Sequence, residues 1–101
     1  MIKIHRTKRV VKVDDRPVPL TPGEHELMVV LGMMDNKLAS YDLLLLVTCK
    51  DRVQIPADKQ ALISRMFRLK RKLGEQHLEC VRQSGYVLKG KVQFIGGSED
   101  R

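Results

Sequence analysis

The stretch RMFRLKRKL, residues 65–73, carries Arg65, Arg68, Lys70, Arg71 and Lys72, and no acidic residue falls between positions 59 and 74. Guanidinium groups donate paired hydrogen bonds to phosphate oxygens or to the O6 and N7 of guanine, whereas an ammonium group meets phosphate as a point charge. At about 100° per residue, Leu62, Met66, Leu69 and Leu73 form one stripe that faces a core, while Ala61, Ser64, Arg65, Arg68, Arg71 and Lys72 lie opposite and to one side. Small residues near the helix start allow close approach to base edges, and the guanidinium groups that follow suit base reading. Arg71 and Lys72, nearer the end, suit phosphates, which position a protein without reading sequence. Four cations on one face repel one another, so a role in helix stability alone is a poor account of them. Shortly after comes CVRQSGYVLKG, a strand, turn and strand in which Arg82 stands just before the Gln83-Ser84-Gly85 turn. An extended cation at that tip can enter a minor groove and sense its width, and Lys89 and Lys91 on the return strand can touch phosphate.

The elements that must carry these residues follow from pattern. IKIHRTKRVVKVDDRPVPL reads as a small antiparallel sheet with strands near 2–5, 9–13 and 17–20, the last marked as an edge by Pro17 and Pro19. TPGEHELMVVLGMM starts a helix: Thr21 caps it, Pro22 suits the first helical position, and Glu24 reaches back to complete a capping box. Leu27, Val30, Leu31 and Met34 recur at helical spacing. Ser40 and Asp42 start a second helix ending near Cys49. KDRVQIP is a loop, and a third helix runs from Ala57 to Leu73 before stopping at Gly74. A hairpin pairs about 78–83 with 86–92, with Tyr86 packed under it and Gly85 filling a turn position of positive φ. The predicted class is α+β, in the order β-β-β-α-α-α-β-β, with one domain over residues 1–92 and a frayed tail over 93–101.

Charge location sharpens the picture. Residues 50–91 hold eleven Lys/Arg against four Asp/Glu, a surplus of +7, while the rest of the 101-residue chain holds eight of each. A polyanionic partner for the second half is the implication. The apolar fraction of 43% supports a packed core. No apolar run is long enough to span a bilayer, and the start lacks the apolar stretch of a secretory signal. Cys49 and Cys80 lack metal-ligand spacing and read as reduced thiols of a cytoplasmic protein, with a disulfide between them as the lesser alternative. His5, His25 and His77 are scattered, no Ser/His/Asp set or phosphate-cradling glycine loop occurs, and no enzyme, metal or cofactor is expected. With two Tyr and two Phe the chain has no stacking platform for single-stranded RNA.

Taken in order, VPLTPGEHELMVVL, SYDLLLLV, ISRMFRLKRKL and CVRQSGYVL resemble the effector domain of OmpR/PhoB-type bacterial response regulators over about residues 9–91. The resemblance implies a winged helix-turn-helix whose third helix enters a major groove and whose wing enters the adjacent minor groove. By position, Gln60, Ala61, Ser64, Arg65 and Arg68 match the family's base- and phosphate-facing helix residues, and Arg82 its wing arginine. The implied partner is double-stranded DNA in a nucleoid-associated transcriptional regulator. The loop at 50–56 corresponds to a segment that some members use to touch RNA polymerase, and relatives often place two copies in tandem on DNA.

Three departures stand out. No receiver domain is seen ahead of the effector, so the chain reads as a regulator without a receiver, as an excised domain, or as a truncated member of the ToxR-like membrane activators, whose cytoplasmic end carries similar domains. Cys49 stands where many relatives carry a tryptophan near the end of the second helix. That helix is also unusually apolar: Leu44, Leu45 and Thr48 point inward in the family pattern, leaving Leu43, Leu46 and Val47 outside, and Ile63 and Phe67 flank the core stripe of the third helix. These side chains either enlarge the core or form a surface for a second copy or another regulator. The alternative function is accordingly a winged-helix interaction module, an adaptor or antagonist of another regulator.

Overall fold

Thr21 and Glu24 start the first helix by satisfying each other's backbone. The Thr21 hydroxyl accepts from the Glu24 amide at 3.2 Å and Glu24 Oε1 accepts from the Thr21 amide at 3.0 Å, so α1 (Pro22–Met33) begins with the expected capping box. The computed structural model describes residues 1–49 and 55–96. Before α1 come β1 (Ile2–His5), β2 (Val10–Val13) and β3 (Arg16–Pro19), joined as antiparallel neighbours. Asp14 and Asp15, at φ 50° and 69°, form the two-residue turn between β2 and β3, the left-handed geometry that short polar residues tolerate. Pro17 and Pro19 lie on the edge strand, where a missing N–H costs no ladder bond.

After α1 follow β4 (Ala39–Ser40), α2 (Tyr41–Thr48), α3 (Pro56–Leu73), β5 (Leu78–Val81), β6 (Gly85–Leu88) and β7 (Val92–Ile95). Ser40 caps α2 through its hydroxyl, which accepts from the Leu43 amide at 3.1 Å. Asp58 accepts from the Ile55 amide at 2.8 Å at the start of α3, and Gly74, at φ 107°, ends it. The strands form two sheets, in the orders β3-β2-β1-β7 and β4-β6-β5. Ile2, Ile4, Val11, Val13 and Val18 bury one face of the first sheet, which meets Leu27, Met28 and Leu31 of α1, Leu44 and Leu45 of α2, and the Leu62–Met66–Leu69–Leu73 stripe of α3 in one core. Gly32 lets this happen, since a Cβ there would lie 2.7 Å from Ile4 Cδ1 and 2.9 Å from the Phe94 ring.

Three readings of the sequence change, and a fourth gains a second cause. β4 has no counterpart in the expected order; it pairs Ala39 with Tyr86 and Ser40 with Gly85. Residues 93–95, assigned to a frayed tail, belong to β7, which lies parallel to β1 from Ile2↔Val92 to His5↔Ile95. Gly85 has the expected positive φ, 158°, and close approach requires a glycine there as well: its Cβ would fall 2.0 Å from the Ala39 carbonyl oxygen, while Gln83 at φ 62° is the left-handed residue within the turn. On α1, Met28 is fully buried, whereas Val30 and Met34 are only half-buried against the core.

Candidate nucleic-acid interface

Its core stripe fixes how α3 is rolled, and with that every other side chain on the helix. Gln60, Ala61, Ser64, Phe67, Arg68 and Arg71 are exposed along the outer face. Arg68 has no acidic partner among the described residues. The Arg71 guanidinium sits 5.8 Å from the centre of the Phe67 ring, a cation–π contact one helical turn apart.

Toward α1 the same helix is engaged differently. Lys72 Nζ donates to Glu24 Oε1 at 2.7 Å, and Glu24 is only 2% exposed. Burial pushes the Glu24 carboxyl up, but the hydrogen bonds from Lys72 and from the Thr21 amide outweigh it and hold its pKa below the ordinary 4.5. Lys72, expected to face phosphate, thus serves to tie the end of α3 to the start of α1. Arg65 leans the same way: its guanidinium carbon would lie 3.3 Å from a Cβ placed on Gly23. Spacing alone put both cations with Arg68; the 48-residue separation of Glu24 and Lys72 leaves no local signal for their pairing.

The wing is β5 and β6, paired antiparallel from Leu78↔Leu88 to Val81↔Gly85, which leaves Arg82, Gln83 and Ser84 as a three-residue tip. Arg82 is exposed there and has no acidic partner among the described residues. Lys89 pairs with Glu79 at 2.8 Å across the two strands, both side chains about half exposed. Tyr86 is buried under the hairpin with its ring edge-on to Tyr41 at 5.8 Å, and burial drives its hydroxyl pKa well above 10. Between wing and α3 runs a groove of about 180 Å³ lined by Ile63, Met66, Phe67, Lys70, Cys80 and Tyr86.

The three interface candidates on α2 separate. Leu43 packs half-buried against the core, Leu46 is 61% exposed, and Val47 lines a groove of about 390 Å³ with His25, Glu26, Val29 and Val30. His25 is half-buried, its Nε2 lying 2.6 Å from the His5 carbonyl oxygen. Cys49 is buried and Cys80 exposed, both as free thiols. Most of the loop at 50–56 lies outside the described residues.

An N-terminal sheet, three helices and a C-terminal hairpin in this order give a winged helix-turn-helix fold like that of OmpR/PhoB-type effector domains, as the sequence motifs imply. Solved structures bear out the likeness. The C-terminal domain of the nisin resistance regulator NsrR, a lantibiotic response regulator, superposes with a TM-score of 0.69 at 27% identity over 86% of this chain and 89% of that one. The DNA-binding domain of Bacillus subtilis CssR gives 0.71 at 20% identity, covering 88% of this chain and all of that one. The Klebsiella pneumoniae RstA DNA-binding domain, in complex with RstA box, gives 0.69 at 20% identity over 84% and 87%. No family model and no curated protein matches the sequence.

Proposed function

We propose that this chain binds double-stranded DNA sequence-specifically and regulates transcription, with α3 in the major groove and the wing tip in the neighbouring minor groove. The observation that carries the reading is the outer face of α3, where Arg68 and Arg71 stand exposed beside Gln60, Ala61 and Ser64, with Arg82 at the tip of the adjoining wing. Arg68 supplies the bidentate donor for a guanine edge, and small Ala61 and Ser64 let the backbone approach. Arg71 and Arg82 add backbone and groove-width contacts. Arg65 and Lys72 act from behind by holding the helix against α1. That RstA carries the same fold in a complex with RstA box supports the assignment.

Selection of bound duplexes from random DNA, followed by titration at several salt concentrations, tests it. One enriched motif is expected, and if about six phosphates are contacted the slope of log K against log salt is about −5. A flat salt dependence with no enriched motif would sink the proposal. Contact with a second copy or another regulator is a second reading, favoured by the exposure of Leu46 beside the groove at Val47. Leu46→Gln is expected to reduce mass in solution if that face self-associates, and unchanged mass and partner binding count against it.

A further inference from the structure

Phe67 is 60% exposed on α3, although a ring of that size is normally kept from water and the chain has only two phenylalanines. Its placement is specific. On the helical wheel it shares the outer face with Gln60, Ser64 and Arg71, on the side toward the wing. The Arg71 guanidinium lies over the ring at 5.8 Å, and half-buried Ile63 and the wall of the groove beside Cys80 back it. The ring therefore projects between helix and wing, on the side assigned above to the major groove.

A base pair offers the major groove polar edges with one exception, the C5-methyl of thymine. We infer that Phe67 is a specificity-determining residue that packs on a thymine methyl in the bound site. The inference rests on the DNA-binding reading and deepens it: the recognised sequence contains a thymine that Arg68 does not read, at a position facing the wing side of α3. The same helix face then carries two kinds of readout, a cationic donor for guanine and an apolar disc for thymine.

The test uses the full chain and a duplex that it selects from random DNA, with each thymine replaced in turn by deoxyuridine, which keeps pairing and O4 but lacks the methyl. Wild-type protein is expected to lose about fourfold in affinity at one position per bound copy, the equivalent of one buried methyl at ~0.8 kcal/mol. Phe67→Ala is expected to bind thymine and deoxyuridine duplexes alike, whereas Arg68→Ala keeps the difference. Phe67→Leu, which preserves apolar bulk, retains part of it. Equal binding of all substituted duplexes by wild type overturns the inference while leaving DNA binding intact, as does a methyl preference that survives in Phe67→Ala. Absence of binding to any duplex removes both readings together.

Discussion

On the flank of α3 that meets α1, Lys72 reaches buried Glu24 at 2.7 Å and Arg65 lies along Gly23, whereas on the outer face Arg68 has no acidic partner among the described residues and Arg71 rests on Phe67. The cations differ little in sequence, and a quarter turn of helix decides what each does. A carboxylate removed from water must be paired, so the inner flank spends its charge on holding the helix at a fixed height and roll against α1. Charge left in solvent contributes little to folding and remains available to a polyanion. Exchanging the two roles would cost both: the helix would lose its anchor and the surface its donor.

Substitutions can break that division in order of effect. Lys72→Ala leaves the Glu24 carboxylate buried with its hydrogen bonding to Thr21 but without its cationic partner, and is expected to cost roughly 2–3 kcal/mol of folding stability, near the lower end for a broken buried pair because Lys72 is itself partly exposed. Thermal unfolding should shift down by about 10–15 °C in a domain of this size. Arg68→Ala should do the reverse: unfolding unchanged within about 2 °C, but affinity for the selected duplex lower by about tenfold or more, and more so than for random DNA. A variant that loses stability and binding together at Arg68 would erase the distinction.

Acid titration sharpens the inner flank. The folded-state pKa of Glu24 lies below its ordinary value, so its contribution is complete above about pH 4.5 and is lost as pH falls through the lower, folded value. Glu24→Gln should therefore flatten the fall in stability on the acid side of pH 4.5, measured by urea unfolding at a series of pH values. The smallest effect belongs to the wing. Glu79→Gln releases Lys89 from a half-exposed pair and should alter stability by no more than ~0.5 kcal/mol. With one repelling carboxylate gone and Lys89 free, binding to random DNA should tighten slightly.

What could be read from the sequence was whatever a short window contains. Thr21, Pro22 and Glu24 announce the start of α1 because a capping box closes within four residues, and the stripe of Leu62, Met66, Leu69 and Leu73 orients α3 because helix periodicity is local. The basic outer face and the wing tip at Arg82 follow from that orientation. β4 escaped because two residues have no period, and Ala39 and Ser40 become a strand only when Tyr86 and Gly85 arrive beside them. The role of Lys72 escaped for the same reason, its partner being 48 positions away. Phe67 was within reach of the wheel, which sets it about 140° from Leu62, yet apolar character alone assigned it to the margin of the core.

The parallel contact of β7 with β1 has a kinetic consequence. Hydrogen bonds from Ile2 to Lys91 and from Arg6 to Ile95 join opposite ends of the described chain, so the outermost place in the N-terminal sheet stays vacant until the last strand has left the ribosome. The helices and the wing, whose partners are closer in sequence, can collapse first. Docking of β7 against Ile4 and Gly32 then becomes the closing event, and a chain interrupted before residue 92 would leave the flank of β1 open to strands from other molecules.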